Sequence, residues 1–124
     1  MIDRAIKFFN ANKDNDIAVY MVFSSLVSEV VYFPVNEYGY LVSLELGVDD
    51  VIPIFTSKEH VPIEEPIELR ECFIENCIDM LSKAKKHIII NPFSKEDVQF
   101  VIPYDAIELF LIPVIQKRKK ITNR

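Results

Sequence analysis

Apolar positions change their spacing several times along this chain, and each change marks an element. Ile2, Ala5, Ile6 and Phe9 recur at the three-and-four spacing of a helix, with Asp3 placed to cap it. A polar break at residues 12–16 follows. From about Asn15 a second helix is predicted, with Val19, Tyr20, Phe23, Leu26, Val27 and Val30 on one stripe. The period then becomes extended. Residues 30–35 are β-branched and aromatic, Tyr40, Val42, Leu44 and Leu46 alternate with Leu41, Ser43 and Glu45, and residues 51–55 are apolar on both faces. These are the marks of three strands. Gly39 and Gly47 fall between them, where turns need positive φ, so the three read as an antiparallel meander. Pro53 removes a ladder donor and is expected at a bulge or beside an unpaired edge.

The second half alternates helix and strand. Thr56-Ser57-Lys58-Glu59 has the spacing of a capping box and implies one helical turn. Pro66 then suits the first turn of a main helix carrying Leu69, Phe73, Ile74, Cys77, Ile78, Leu81 and Ala84 inward. Glu64, Glu65 and Glu68 at its start, with Lys83, Lys85 and Lys86 at its end, complement the helix dipole. Residues 87–90 show no polar alternation and read as an inner strand. Residues 91–94 make a turn, Val98, Phe100 and Ile102 return as another strand, and Pro103 opens a last helix through Ile107, Phe110 and Leu111. Pro113 is expected to end or kink that helix. The sum is an α+β fold, or an irregular α/β one: a mixed sheet of about five strands with an antiparallel meander, flanked by helices.

Composition narrows the setting. With 124 residues, half of them hydrophobic, the expectation is one domain over residues 1–116 followed by a basic tail at 117–124. The longest apolar runs, residues 17–23 and 109–115, are seven residues each, whereas a membrane span takes about 20. No membrane association is expected. Met1-Ile2-Asp3-Arg4 has an acid where a signal peptide carries basic residues, so a cytoplasmic protein is expected. All 19 acids lie in residues 1–116 with nine of the 14 bases, while the last eight residues hold the other five bases. An acidic body repels phosphate backbones. Nucleic acid binding would rest on Lys117, Arg118, Lys119, Lys120 and Arg124 alone and is disfavoured. The favoured reading is that these cations end a helix and complement its negative pole; contact with an acidic protein face is the alternative.

Candidate chemistry is sparse. Cys72 and Cys77, five apart on the expected main helix, would point roughly 140° from each other, which disfavours a bridge and suits reduced core cysteines. His60 lies in a turn and His87 at an element boundary, and neither has a sequence neighbour that would make it a ligand or general base. Asp49-Asp50 and Glu64-Glu65 are adjacent pairs that do not share a face, so no metal site is expected. Two glycines in turns between strands cannot supply a phosphate cradle, and no cofactor is expected. The expectation is a protein that is not an enzyme, with no catalytic residue. Thr56, Ser57 and Asn91 are the ligand-binding candidates. Their turns would be neighbours at strand ends if the third strand and the inner strand pair, although such residues more often satisfy turn backbone.

Three strings add a resemblance. Val31-Tyr32-Phe33-Pro34-Val35, then Ile52-Pro53-Ile54-Phe55-Thr56-Ser57, then Ile88-Ile89-Ile90-Asn91-Pro92-Phe93-Ser94 stand in the order that resembles the N-terminal domain of SseB-type proteins. This bacterial family is named for an enhancer of serine sensitivity and is likened to type III secretion accessory proteins. The likeness covers roughly residues 16–112. It implies the same α+β architecture, with Phe55-Thr56-Ser57 and Asn91-Pro92 as fold markers, and it carries over no catalytic residue. Longer members have a second, C-terminal domain without a counterpart here, and the family's glycine-rich stretches are sparse. The expected function is a non-catalytic accessory domain that binds another protein through a sheet edge or an acidic surface. A small-ligand site or weak enzyme near the 56–57 and 91–94 turns is the alternative, and an exposed edge would also suit a homodimer.

Overall fold

The computed structural model describes residues 1–46, 49–62 and 68–122. Two helices come first, α1 (Ile2–Ala11) and α2 (Asp16–Ser28), followed by strand β1 (Val30–Val35). Then come β2 (Leu44–Leu46), β3 (Asp49–Ile54), a 3-10 turn (Lys58–His60), β4 (Glu68–Phe73), a second 3-10 turn (Ile74–Cys77) and α3 (Ile78–Ala84). The chain ends with β5 (His87–Ile90), a third 3-10 turn (Glu96–Val98), β6 (Phe100–Ile102), the single turn α4 (Tyr104–Ala106), a π-register segment (Ile107–Leu111) and α5 (Ile112–Thr122). The class is α+β.

Four strands form a mixed sheet in the order β2-β3-β5-β6, in which β3 and β5 are parallel and the outer pairings antiparallel. Ile52, Ile54, Ile88, Ile90 and Ile102 leave water almost completely on its inner face. Each such side chain contributes about 1.5–3 kcal/mol by burial. Ile6 of α1, Val22 and Leu26 of α2, Leu81 of α3 and Leu111 of the π segment belong to the same core. Ile89 and Val101 face the other side, and Val101 is 54 % exposed. Among the described residues β6 pairs with β5 alone, so its other side is a sheet edge, and the strand carries an exposed apolar residue at its centre.

The first helices follow their periodicity with two differences. Met1, not Asp3, is the N-cap of α1, because the Asp3 side chain turns toward the loop after β3. Tyr20 lies outside the buried stripe of α2, whose buried residues are Ala18, Val22, Phe23, Leu26 and Val27. The Asn15 side chain caps α2 by accepting from the Ile17 N–H at 2.9 Å. Gly39 has φ 81 and closes the turn after β1, in which the Asn36 side chain accepts from the N–H groups of Tyr38 and Tyr40. The meander is only partly formed. β1 touches its expected neighbours through single bridges, Val35 with Leu41 and Tyr32 with Phe55, and its ladder is with β4. Gly47, Glu64, Glu65 and Pro66 lie outside the described residues.

The main correction concerns residues 66–84. The expected long helix is replaced by β4, a 3-10 turn and the short α3. All six residues of β4 are in antiparallel register with all six of β1, from Val30 opposite Phe73 to Val35 opposite Glu68. Pairing along a whole strand outweighs the helical preference of Glu68, Leu69, Arg70 and Glu71, because strand formation depends more on its partner than on local propensity. The sheet total also changes, from about five strands in one sheet to six in two sheets among the described residues.

Pro53 behaves as expected. Ile54 directs its carbonyl to Asn91 beside β5, and Phe55 bonds Tyr32 of β1 on the opposite edge. Alternation puts the Pro53 nitrogen on the Phe55 side, beyond Val51 where the β2 ladder stops. Val98 lies in the 3-10 turn before β6 and not in the strand. Pro113 does not end the last helix. The π segment ends one residue before α5 begins at Ile112, so the change of register occurs where the proline removes a backbone donor. The expected basic tail is likewise helical as far as Thr122. Arg118 donates to the Val27 carbonyl and lies over the Phe73 ring, while Lys119 pairs with Glu75 at 3.7 Å.

Candidate functional site

Two features stand at opposite ends of the β5–turn–β6 connection, a polar cluster where β3 and β5 end and an apolar groove along β6. The polar cluster follows from the parallel pairing. β3 and β5 run in the same direction, so the residues that leave them, Thr56 and Asn91, emerge side by side. Asn91 is fully buried with φ 55, a left-handed conformation that asparagine tolerates better than most residues. Its side-chain oxygen accepts from the Thr56 N–H at 3.0 Å, and its amide donates to Thr56 Oγ1 and to the Val98 carbonyl, each at 3.0 Å. One side chain thereby joins the ends of two strands to the turn before β6.

Thr56 carries the network outward. Its hydroxyl donates to Asp3 Oδ1 and accepts from Asn91, so the capping box read from the sequence does not form; Ser57 stands at the N-cap position instead. Asp3 Oδ2 lies 2.7 Å from His60 Nε2, and His60 Nδ1 lies 2.7 Å from Ser94 Oγ. The result is a continuous chain Asn91–Thr56–Asp3–His60–Ser94. Burial alone would raise the Asp3 carboxyl, but hydrogen bonds from Thr56 and His60, with the charges of His60 and the amino terminus, outweigh it and hold the group below its ordinary value. When Asp3 accepts from Nε2–H, neutral His60 presents Nδ1 as an acceptor for the Ser94 hydroxyl; protonated, it donates to both neighbours.

Of the three ligand-binding candidates, Thr56 and Asn91 are joined directly. Ser57 sits beside them as the N-cap residue of the 3-10 turn, and its carbonyl accepts from the His60 N–H at 3.2 Å, but its side chain does not cap the turn. Asp3, His60 and Ser94 had no local signal, because Asp3 and His60 are 57 positions apart and His60 and Ser94 are 34 apart. His60, which has no sequence neighbour to make it a ligand or general base, gains Asp3 and Ser94 as partners across the fold. An open cleft of about 550 Å³ borders the outer end of the chain, with Asp3, Lys7, His60, Ser94 and Lys95 among its walls.

The groove is larger and apolar. It occupies about 680 Å³ beside β6, and its walls include Phe9 of α1, Val19 and Phe23 of α2, Phe100 and Val101 of β6, and Phe110. Phe100 meets Phe9 and Phe23 edge-on at centroid distances of 5.2 and 5.9 Å, and Phe23 stacks on Phe110 at 6.3 Å. Asn10 fixes the upper wall by sharing its amide hydrogens among the carbonyls of Glu96, Asp97 and Gln99. Lys13, Glu96 and Asp105 rim the groove, so its polar border carries more acid than base.

Among the described residues, no group of three or more His, Cys, Asp or Glu is arranged to hold a metal ion, and no helix is long and apolar enough to cross a membrane. Neither a protein-family model nor a curated protein sequence matches this chain.

Proposed function

We propose that this chain is a non-catalytic, cytoplasmic accessory domain of the bacterial SseB type that binds an extended segment of another protein along β6. The observation that supports this reading is the coincidence of a sheet edge with an apolar groove: among the described residues β6 has β5 on one side only, and Val101, Phe100 and Phe110 line the space next to it. An added strand would gain main-chain hydrogen bonds from the edge, and alternate side chains would enter the groove. The occupant is apolar at alternate positions and flanked by Lys or Arg, since residues 1–116 carry ten more acids than bases.

The test uses a synthetic peptide of alternating valine and threonine with lysines at both ends, titrated into isotope-labelled protein. Saturable shifts at residues 100–102 that Val101→Lys abolishes would support the reading. Saturation that leaves these residues unmoved, or no binding at all, would defeat it. Concentration-dependent dimerisation that is blocked by Val101→Lys would assign the edge to a second copy and also defeat it.

A second reading rests on the Ser94–His60–Asp3 contacts beside the smaller cleft. There the domain would hold a small polar ligand between Lys7, His60 and Lys95. Screening small carboxylates and phosphates by the His60 ring resonances tests it; resonances unmoved across the screen would remove this reading.

A further inference from the structure

The replacement of the expected helix by a strand and a 3-10 turn brings the two cysteines together. Cys72 stands in β4 opposite Val31, and Cys77 closes the turn Ile74–Cys77. Their sulfurs are 3.5 Å apart with both thiols free. A disulfide needs about 2.05 Å, so closure requires an approach of about 1.5 Å. Cys72 is partly exposed, whereas Cys77 is buried. One sulfur is thus open to a reagent, and the other lies behind it.

We propose that Cys72 and Cys77 are an oxidation site that closes to an intramolecular disulfide by exchange with a small-molecule disulfide. Cys72 loses its proton and attacks one sulfur of the reagent, giving a mixed disulfide and releasing one small thiol that takes up the proton. Cys77 then loses its proton and attacks Cys72 Sγ, and the second small thiol leaves with that proton. Two electrons and two protons pass from the protein to the reagent. The new bond ties the end of the β1–β4 ladder to the turn that leads into α3.

The first step is slow at neutral pH. Burial, and then the hydrogen bond and charge of Cys77, push the Cys72 thiol up to about 12 against a smaller opposing effect of Arg70. The second step is fast because the attacking sulfur is already in contact. This separates the pair from a freely reactive surface thiol: it resists transient exposure and records sustained oxidation or alkaline conditions.

The experiment treats the full chain with oxidised glutathione, quenches with acid, alkylates free thiols and maps the products by mass spectrometry, in buffer and in urea. The expected product in buffer is a chain lighter by two hydrogens, with the ratio of closed ring to mixed disulfide about tenfold or more higher than in urea, because the fold raises the effective concentration of one thiol at the other. Cys77→Ser should instead accumulate glutathione on Cys72. Accumulation of the mixed disulfide on the native wild-type chain, or a ratio of closed ring to mixed disulfide no higher than in urea, would overturn the proposal. If Cys77→Ser fails to fold, the comparison of the wild-type product ratios with and without urea decides alone.

Discussion

Asp3 and His60 meet at 2.7 Å although they are 57 positions apart, so the first turn of α1 is fastened to the loop that follows β3. Thr56 holds the other oxygen of the same carboxylate. Both contacts favour the ionised acid, and they set how the fold responds to acid. Because the folded-state value of Asp3 lies below its ordinary 3.8, its contribution is complete above that value and disappears as pH falls through the folded one. Denaturant titrations over a series of acidic pH values should show Asp3→Asn with a flatter loss of stability below pH 3.8 than the wild type. Parallel curves for the two proteins would show that the carboxylate makes no such contribution.

Asn91 combines a left-handed backbone with three side-chain hydrogen bonds, and two substitutions separate these roles. Asn91→Ala loses the bonds and keeps a Cβ in the left-handed region without the polar side chain that makes asparagine tolerant of it, for an expected cost of about 2–4 kcal/mol. Asn91→Gly loses the same bonds without the backbone penalty and should be about 1 kcal/mol less damaging. Chemical denaturation midpoints check the order, and equal losses would mean that the positive φ is not maintained in solution.

The β6 edge should separate stability from recognition. Val101 is 54 % exposed, so Val101→Lys is expected to change stability by no more than about 0.5 kcal/mol, and lysine also protects an edge against unwanted pairing. Phe100, at 7 % exposure and packed edge-on against two other rings, should cost about 3–5 kcal/mol when replaced by alanine. Thermal unfolding of the two variants checks this contrast.

Arg118 anchors the last helix through the Val27 carbonyl and the Phe73 ring. Arg118→Ala should destabilise by about 1–3 kcal/mol, and Arg118→Lys should recover only part of it because an ammonium cannot lie flat over a ring. Urea unfolding of the pair measures the difference. Removing residues 117–124 would take away this anchor together with the positive charge, so salt dependence is better tested with Lys117→Gln, whose ammonium sits over exposed Tyr20 at 5.7 Å.

What could be read from the chain divides along the range of the interactions. Periodicity located α1 and α2, β-branched runs located β1, β3 and β5, and the apolar character of Ile88, Ile89 and Ile90 pointed to an inner strand. Pairing of β3 with β5 then placed Thr56 next to Asn91, as expected. The stretch from Leu69 to Cys77 misled because Leu69, Phe73, Ile74 and Cys77 happen to fall at helical spacing, while the partner that makes it a strand, β1, is about 40 residues earlier. Cys72 and Cys77 were separated by that helical assumption and are brought together by the strand. The remaining site residues fail for another reason: nothing local to Asp3, His60 or Ser94 reflects contacts made across the whole domain.

The placement of α1 also bears on the order of synthesis. α1 can rest against α2 as soon as both are made, yet its polar partners come much later: Thr56 and His60 after β3, then Glu96, Asp97 and Gln99 beyond β5. This helix is therefore seated well after its own synthesis, once both parallel strands have been translated and paired. Asp3 and Asn10 act as a two-point latch that closes only on a finished sheet, so a chain stalled before Gln99 would carry the α1–α2 pair without the surface it was built to lock.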